Sequence, residues 1–371
     1  MRVGLNATCL TDRPSGAKQR FIGIYGQLFK LLPEVEFIIY ESQGCRVADW
    51  FPTQPNVSAR VTSIPCEGRI AKFSAGIRYW PQEFSKDRFD IFEGLHLPLT
   101  RSPSGRTLLT IHDIRGVHPE NDLMGRAIFK TVLARSLKAA DHVITVSEAM
   151  KEEILSFFPG VPVSVIYNGL DTSKFSQIDD SDLVAFQNKF ALPSEFILAV
   201  GHFEKRKNYL SLIDSVTRLR DRGIDCPLLI IGNNSGQRRL VEEKIAGANL
   251  GNMIRVLSEL SDLEVRCAYK MCSLFVFPSA YEGFGIPILE AMAAQRPMVL
   301  SNLPVFCEIT EGQAIYFPHN DIESMADAIE HALTSSTKRT SMIEYGIQRV
   351  NDFNFNALAG QVAALYKELV D

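Results

Sequence analysis

The 371-residue sequence has no C-x-x-C pair, no low-complexity tract, and no apolar run near the roughly 20 residues that a membrane helix needs. Its seven cysteines (9, 45, 66, 226, 267, 272 and 307) are scattered and odd in number, which argues against a disulfide framework and against a zinc site. The seven histidines show no metal-ligand spacing either. The longest apolar runs, "FILAV" at 196–200 and "SLFVF" at 273–277, are of strand length. At the start, "MRVGLNATCL" is interrupted by Gly4, Asn6 and Thr8, so it reads as a first strand rather than a signal peptide, and a cytoplasmic protein is expected. No Gly-x-Gly-x-x-Gly follows that strand, which excludes a hydride-transferring dinucleotide enzyme. No Asp-x-Asp pair stands at a strand end, so no catalytic Mg²⁺ or Mn²⁺ is expected.

What is present is an ordinary globular composition, 46% apolar and 22% charged, in a chain long enough for two cores. The formal net charge of −4 is uneven: residues 1–168 hold 20 basic against 17 acidic side chains, and residues 169–371 hold 19 against 26. That bias is too small for a nucleic-acid protein, and no basic stripe with interleaved aromatics accompanies it.

Short runs rich in Val, Ile and Phe alternate with stretches of helical period: "RVGLN", 17–32, "EFIIY", "FDIFEG", "TLLTI", 127–139, "HVITV", 148–158 and "VSVIY". The rhythm restarts with "FILAVG", 209–222, "PLLIIG", 238–245, "MIRVL", 262–272 and "LFVFPS". Such alternation predicts an α/β fold with two doubly wound parallel-sheet domains, 1–168 and 169–351. The stretch 168–182, "NGLDTSKFSQIDDSD", is read as the linker between them, and the last helix, about 356–370, follows a break at "NDFNF".

In open parallel sheets ligands bind beyond the carboxyl ends of the strands, so the loops there are the places to look. "YEGFGIPILEAMAAQRP" at 281–297 is a loop opening onto a helix, with Pro287 where its missing N–H costs nothing. Its glycines permit close approach of a ligand to a positive helix end that favours phosphate, and Glu282 and Glu290 can accept hydrogen bonds from sugar hydroxyls. "AVGHFEKRKN" at 199–208 places Lys205, Arg206 and Lys207 on one loop, which favours an anion, although alone the run reads as solvated charge. "TIHDIRGVHPE" at 110–120 ends a strand with His112, and "NATCLTDRPSGAKQR" at 6–20 carries Ser15 and Gly16 into a helix with Lys18 and Arg20. "GRIAKFSAGIRYW" at 68–80 has a basic amphipathic pattern, which reads first as a helix packed on its own domain and second as a membrane-facing one.

Together "TIHDI", "ADHVITVSEAMKEEI", "IYNGLDTSKF", "AVGHFEKRKN" and "YKMCSLFVFPSAYEGFGIPILEAMAAQRPMVLS" resemble, in order, the motifs of the retaining glycosyltransferases of family four. The resemblance covers nearly the whole chain. It implies the GT-B fold, two Rossmann-like domains facing across a cleft, with the last helix, 352–371, crossing back to the first domain. It implies that Glu290 holds the donor ribose, Glu282 the transferred sugar, and Phe284 and Gly285 the diphosphate or sugar through backbone N–H groups. Arg206 and Lys207 would take the diphosphate, with Gly201 and Gly283 flanking the donor, while His112 stands beside the reacting sugar and Ser15 and Gly16 form the acceptor-side loop. Glu282 and Lys207 are expected to line the cleft rather than a core. Where many members carry Arg after the strand glycine, this chain has His202, and Arg206 is expected to supply the guanidinium.

The function implied is transfer of a hexose, with mannose from GDP-mannose as the donor favoured, to a glycan or lipid-linked oligosaccharide in surface-polysaccharide synthesis, with peripheral contact at the inner membrane face. No cofactor is expected. A GT-B epimerase and a non-catalytic nucleotide-sugar-binding partner are the alternatives.

Overall fold

The computed structural model describes residues 1–118 and 122–371, except the side chains of Arg69 and Ile70. Pro119 and Glu120 of the third candidate loop therefore lie outside the described residues, as do the side chains of Arg69 and Ile70 in the amphipathic stretch. Two compact units form, Met1–Gly169 with Asn354–Asp371, and Leu170–Phe353.

The first unit is built on β1 (Arg2–Asn6), β2 (Glu36–Gln43), β3 (Val57–Pro65), β4 (Ile91–Gly94), β5 (Arg106–Ile111), β6 (His142–Thr145) and β7 (Val163–Val165), in the order β3-β2-β1-β4-β5-β6-β7. Every pairing is parallel. The inner strands are covered on both faces, which is why they read as unbroken apolar runs. Edge strand β3 alternates exposed and covered residues and was not anticipated from the sequence. Helix α1 (Gly16–Arg20) continues through a π turn at Phe21–Tyr25 into Gly26–Leu31. Then come α2 (Arg69–Lys86), α3 (Leu123–Ala139) and α4 (Glu148–Phe157), the last two capped by Asp122 and Ser147.

The terminal helix, Phe355–Val370, packs Leu358, Val362 and Tyr366 into this same core. Gly23 makes room for it, because a Cβ there would lie 2.2 Å from the Phe355 ring.

The second unit holds β8 (Ile197–Val200), β9 (Leu228–Ile231), β10 (Ile254–Leu257), β11 (Leu274–Phe277), β12 (Met298–Ser301) and β13 (Ile315–Phe317), in the order β10-β9-β8-β11-β12-β13. Its helices include α5 (Asp180–Phe190), α6 (Tyr209–Asp221), α7 (Asp262–Met271) and α8 (Ile286–Ala293). Capping boxes at Asp179/Asp182 and Ser261/Glu264 fix the starts of α5 and α7. In both sheets the strand order reverses at one point, between β1 and β4 and between β8 and β11. Ligands of doubly wound sheets bind at these points.

The boundary between the two units, Gly169/Leu170, falls inside the 168–182 stretch read as the linker, but much of that stretch is ordered structure. Asn168 and Leu170 are buried, Ser173–Ser176 is helical, and α5 begins at Asp180. The capping carboxylates that made it look like a loop are what start that helix.

Candidate functional site

At the carboxyl ends of β8 and β11, the second unit gathers most of the residues singled out from sequence. The chain leaves β8 through Gly201 at φ 152°, a left-handed conformation that favours glycine, and a Cβ there would meet the Lys207 side chain at 2.9 Å. A short 3₁₀ turn, Lys205–Lys207, follows. Its backbone is tied to the opposite loop by Ala280 N donating to Arg206 O at 2.7 Å. Tyr209 Oη donates to Gly201 O at 2.8 Å and fixes the start of the loop.

Glu282 is the hub. Its Oε1 lies 2.5 Å from Arg206 Nη1 and 2.7 Å from Lys207 Nζ, and accepts from Ser279 Oγ at 2.9 Å. Among the described residues each of these contacts falls on Oε1, which leaves Oε2 for another donor such as a sugar hydroxyl. Burial raises the Glu282 pKa, but Lys207 and Arg206 outweigh it and hold the carboxyl below its usual range, so it is ionised. Arg206 Nε also pairs with Glu204 at 2.7 Å. Two cations thus face two carboxylates in a partly dry site, so their charges balance within the group.

Lys207 is not the solvated charge that the Lys-Arg-Lys run read alone suggests. Only 6% exposed, with its ammonium 4.6 Å from the centre of the Phe277 ring, it belongs to the wall of the site and not to its surface. Burial lowers its pKa while Glu282 pulls it back up. Lys205 is the exposed member of the Lys-Arg-Lys run, and Arg206 is half-buried.

Gly283, Phe284 and Gly285 lead into α8, with Gly285 as its N-cap and Pro287 in the first turn. The Phe284 ring is buried against Phe353. One turn into α8, Glu290 is raised to about pKa 6, first by burial. Tyr269 on α7 lies beside it, its phenol pushed well above the ordinary range by burial and by Glu290. Sequence reading missed Tyr269, and no spacing rule relates positions 269 and 290.

In the first unit, His112 follows β5 and is lowered to about pKa 3, mainly by burial and then by Arg20 and His96. It is a neutral imidazole. Ser15 caps α1 by accepting from Lys18 N at 3.2 Å, and Gly16 is the first helical residue. Arg20, in the same helix, is 2% exposed and donates to Ile166 O, Tyr167 O and Asn168 Oδ1 at 2.8, 2.7 and 3.2 Å. Lys18 is likewise occupied, donating to Asp12 O and covering the Trp50 ring at 4.3 Å. His96, beyond β4, was not anticipated and is lowered to about pKa 4, chiefly by burial.

Two family models divide the chain between them, "Glycosyltransferase Family 4" over residues 34–174 and "Glycosyl transferases group 1" over residues 180–349. The chain belongs to glycosyltransferase family four. It is similar to the O-antigen chain mannosyltransferase RfbU of Salmonella typhimurium, 29% identical over 237 residues, which are 63% of this chain and 62% of RfbU. The match therefore spans less than two thirds of that relative. Sucrose-phosphate synthase from Thermosynechococcus elongatus superposes with a TM-score of 0.80 at 19% identity, over 99% of this chain and 98% of that one. Anabaena HepE in complex with UDP-glucose superposes with a TM-score of 0.76 at 18% identity, over the whole of both chains. The fold of this family-four glycosyltransferase is GT-B, with a seven-stranded and a six-stranded Rossmann-like sheet.

Among the described residues of the glycosyltransferase, no group of three or more His, Cys, Asp or Glu is placed to hold a metal ion. No described helix is long and apolar enough to cross a membrane.

Proposed function

We propose that this chain is a retaining, metal-independent hexosyltransferase that moves mannose from GDP-mannose to a glycan acceptor, lipid-linked, in cell-surface polysaccharide synthesis. The observation that carries the reading is the Glu282 hub, a buried ionised carboxylate with Arg206 and Lys207 on one oxygen and the other left for a hydroxyl. Glu290, eight positions on, is set to accept from the ribose hydroxyls.

The chemistry follows from charge. As the bond between the sugar C1 and the β-phosphate oxygen breaks, the electron pair leaves with the diphosphate, and Arg206, Lys207 and the N-terminal end of α8 take up the negative charge. Positive character grows on the sugar ring. The acceptor hydroxyl forms its bond to C1 on the face the diphosphate leaves, so configuration is retained, and its proton passes to a phosphate oxygen of the leaving group. Glu282 orients the sugar, while neutral His112 accepts from or donates to a sugar hydroxyl. His202 sits next to Gly201, its Nδ1 buried without a hydrogen-bond partner.

RfbU supports mannose as the sugar and surface polysaccharide as the context. HepE carries UDP-glucose in the same fold, so the fold leaves the base open and experiment must choose it. A thermal-shift series with GDP, UDP, ADP and their sugar conjugates should raise the melting temperature with GDP and GDP-mannose, because a ligand held only by the native state stabilises it. Turnover of labelled GDP-mannose onto a lipid-linked acceptor, with the anomeric coupling of the product read by NMR, then tests transfer and retention. A shift with UDP alone overturns the donor. No shift with any nucleotide overturns the donor-site reading, and a shift without turnover favours the non-catalytic nucleotide-sugar-binding partner.

A further inference from the structure

Asp262, Arg266 and Tyr269 step along one face of α7, and all three act on Glu290 of α8. Tyr269 is wholly buried, its ring held between Phe275 of β11 at 5.4 Å and Phe175 at 6.4 Å, so its hydroxyl is fixed in place. Among the described residues neither Tyr269 Oη nor Arg266 Nε has a hydrogen-bond partner, although both atoms are closed off from solvent. A buried donor left in this way costs free energy, and each one in a folded protein calls for a reason.

After burial, Glu290 is the group that acts most strongly on the Tyr269 phenol, so the two face each other just short of hydrogen-bond geometry. Burial raises the Glu290 carboxyl to about 6, Tyr269 opposes that rise, Asp262 adds to it, and Arg266 and Lys207 oppose it. These groups come from α7 and from the loop after β8. Away from them α8 meets the helix Ser336–Arg349 through an uncharged contact, Gly346 against Met292, where a Cβ on the glycine would lie 3.2 Å from the methionine.

We propose that Tyr269 is a positioning residue of the donor site: its phenol closes onto one oxygen of the ionised Glu290 carboxylate and fixes the rotation of that group, so that the remaining lone pairs face the ribose hydroxyls. An ionised carboxylate has about four acceptor positions, enough for one phenol and two hydroxyls together. Without the phenol the carboxylate turns freely about its last torsion, and the nucleotide has to order it on binding. Tyr269 acts only through Glu290, because its own hydroxyl is shut off from solvent and from any ligand. The role rests on Glu290 being the ribose carboxylate, as proposed for the transfer reaction.

Tyr269→Phe removes only an unpartnered hydroxyl, so the variant should melt close to the parent. Calorimetric titration of the full chain with GDP, UDP and ADP across pH identifies the nucleoside diphosphate bound best and the pH midpoint of its affinity. The parent midpoint is expected at about 6. In Tyr269→Phe it should move up by about one unit, because the ionised carboxylate has lost a hydrogen bond, and affinity at pH 7 should fall about fivefold. A tyrosine that merely fills space would lower affinity equally at every pH and leave the midpoint alone. An unmoved midpoint in a variant that binds nucleotide therefore overturns the role of Tyr269 while the donor site stands. A parent that binds none of the three nucleotides overturns the donor site, and the positioning role falls with it. A measurement on the parent covers a variant that does not fold: with isotope-labelled tyrosine, one phenol Cζ resonance should shift through about pH 6 and lose that step in Glu290→Gln. Tyrosine resonances that stay flat across that range overturn the proposal without any nucleotide.

Discussion

Tyr366 Oη donates to Glu93 Oε2 at 2.5 Å, joining the last helix to the middle of the first sheet across 273 positions of sequence. The other oxygen, Oε1, accepts from Tyr25 Oη at 2.5 Å and Thr110 Oγ1 at 2.6 Å, and Glu93 is wholly buried. A buried carboxylate surrounded by donors is secure only while all of them are present. Replacing Tyr366 by Phe keeps the ring and removes the donor, so it should cost about 1–3 kcal/mol of stability. Urea denaturation of the two proteins measures it. An unchanged midpoint would mean that water replaces the phenol, and the contact would then contribute nothing to holding the terminal helix.

Arg206 and Lys207 both meet Glu282 Oε1, yet their replacement should have different consequences. In the proposed transfer Arg206→Ala removes a half-buried donor to the leaving-group charge, so turnover should fall about 100- to 1000-fold with a small change in urea midpoint. Lys207→Met removes the fully enclosed partner of Glu282, and should lose similar turnover together with about 3 kcal/mol of stability. If Lys207→Met is as stable as the parent, the lysine is not the element that holds Glu282 in place.

The elements that the sequence made legible are those whose physics is local. Parallel strands covered on both faces read as short apolar runs, and β1, β5, β8 and β11 appear where "RVGLN", "TLLTI", "FILAV" and "LFVF" stand. Strand β3 escaped because an edge strand needs an apolar residue only on alternate positions, and β13 because "IYF" is too short to show a period. The Glu282/Glu290 spacing is visible because one loop and one helix turn carry both. The inward turn of Lys207, the burial of Arg20 and the Tyr25/Glu93/Tyr366 cluster are set by tertiary packing, and sequence alone presents each as an ordinary charged or aromatic residue.

Glu290 makes the pH behaviour of the proposed donor site specific. Its pKa rises to about 6 in the folded protein from an ordinary 4.5, so the native state holds that proton more tightly than the unfolded chain does. Its contribution to stability is therefore fully present below about pH 4.5 and lost as the pH climbs through about 6. Glu290→Gln should be about 2 kcal/mol more stable than the parent at pH 7, with the difference closing toward pH 4.5. Nucleotide affinity should move the other way, since only the ionised carboxylate accepts from both ribose hydroxyls. Calorimetric titration of the donor nucleotide from pH 5 to pH 8 should show parent affinity rising through about 6 and the variant flat; parallel curves would remove Glu290 from the ribose.

His112 has the opposite sign. Its pKa is depressed from 6.5 to about 3 by burial, with Arg20 and His96 adding to the effect, so the unfolded chain takes up a proton that the native state refuses. Stability from this residue is complete above about pH 6.5 and drains away as the pH falls toward 3. His112→Gln, which keeps a neutral hydrogen-bonding group, should therefore stabilise the protein at pH 5 and leave it unchanged at pH 8. In catalysis the same depression means that no imidazolium forms in the working range. Turnover of His112→Gln should drop at every pH, with the acid limb still near 6, because that limb belongs to Glu290. Should the acid limb vanish with His112 and persist in Glu290→Gln, the histidine would be titrating during the reaction and its neutral role would be wrong.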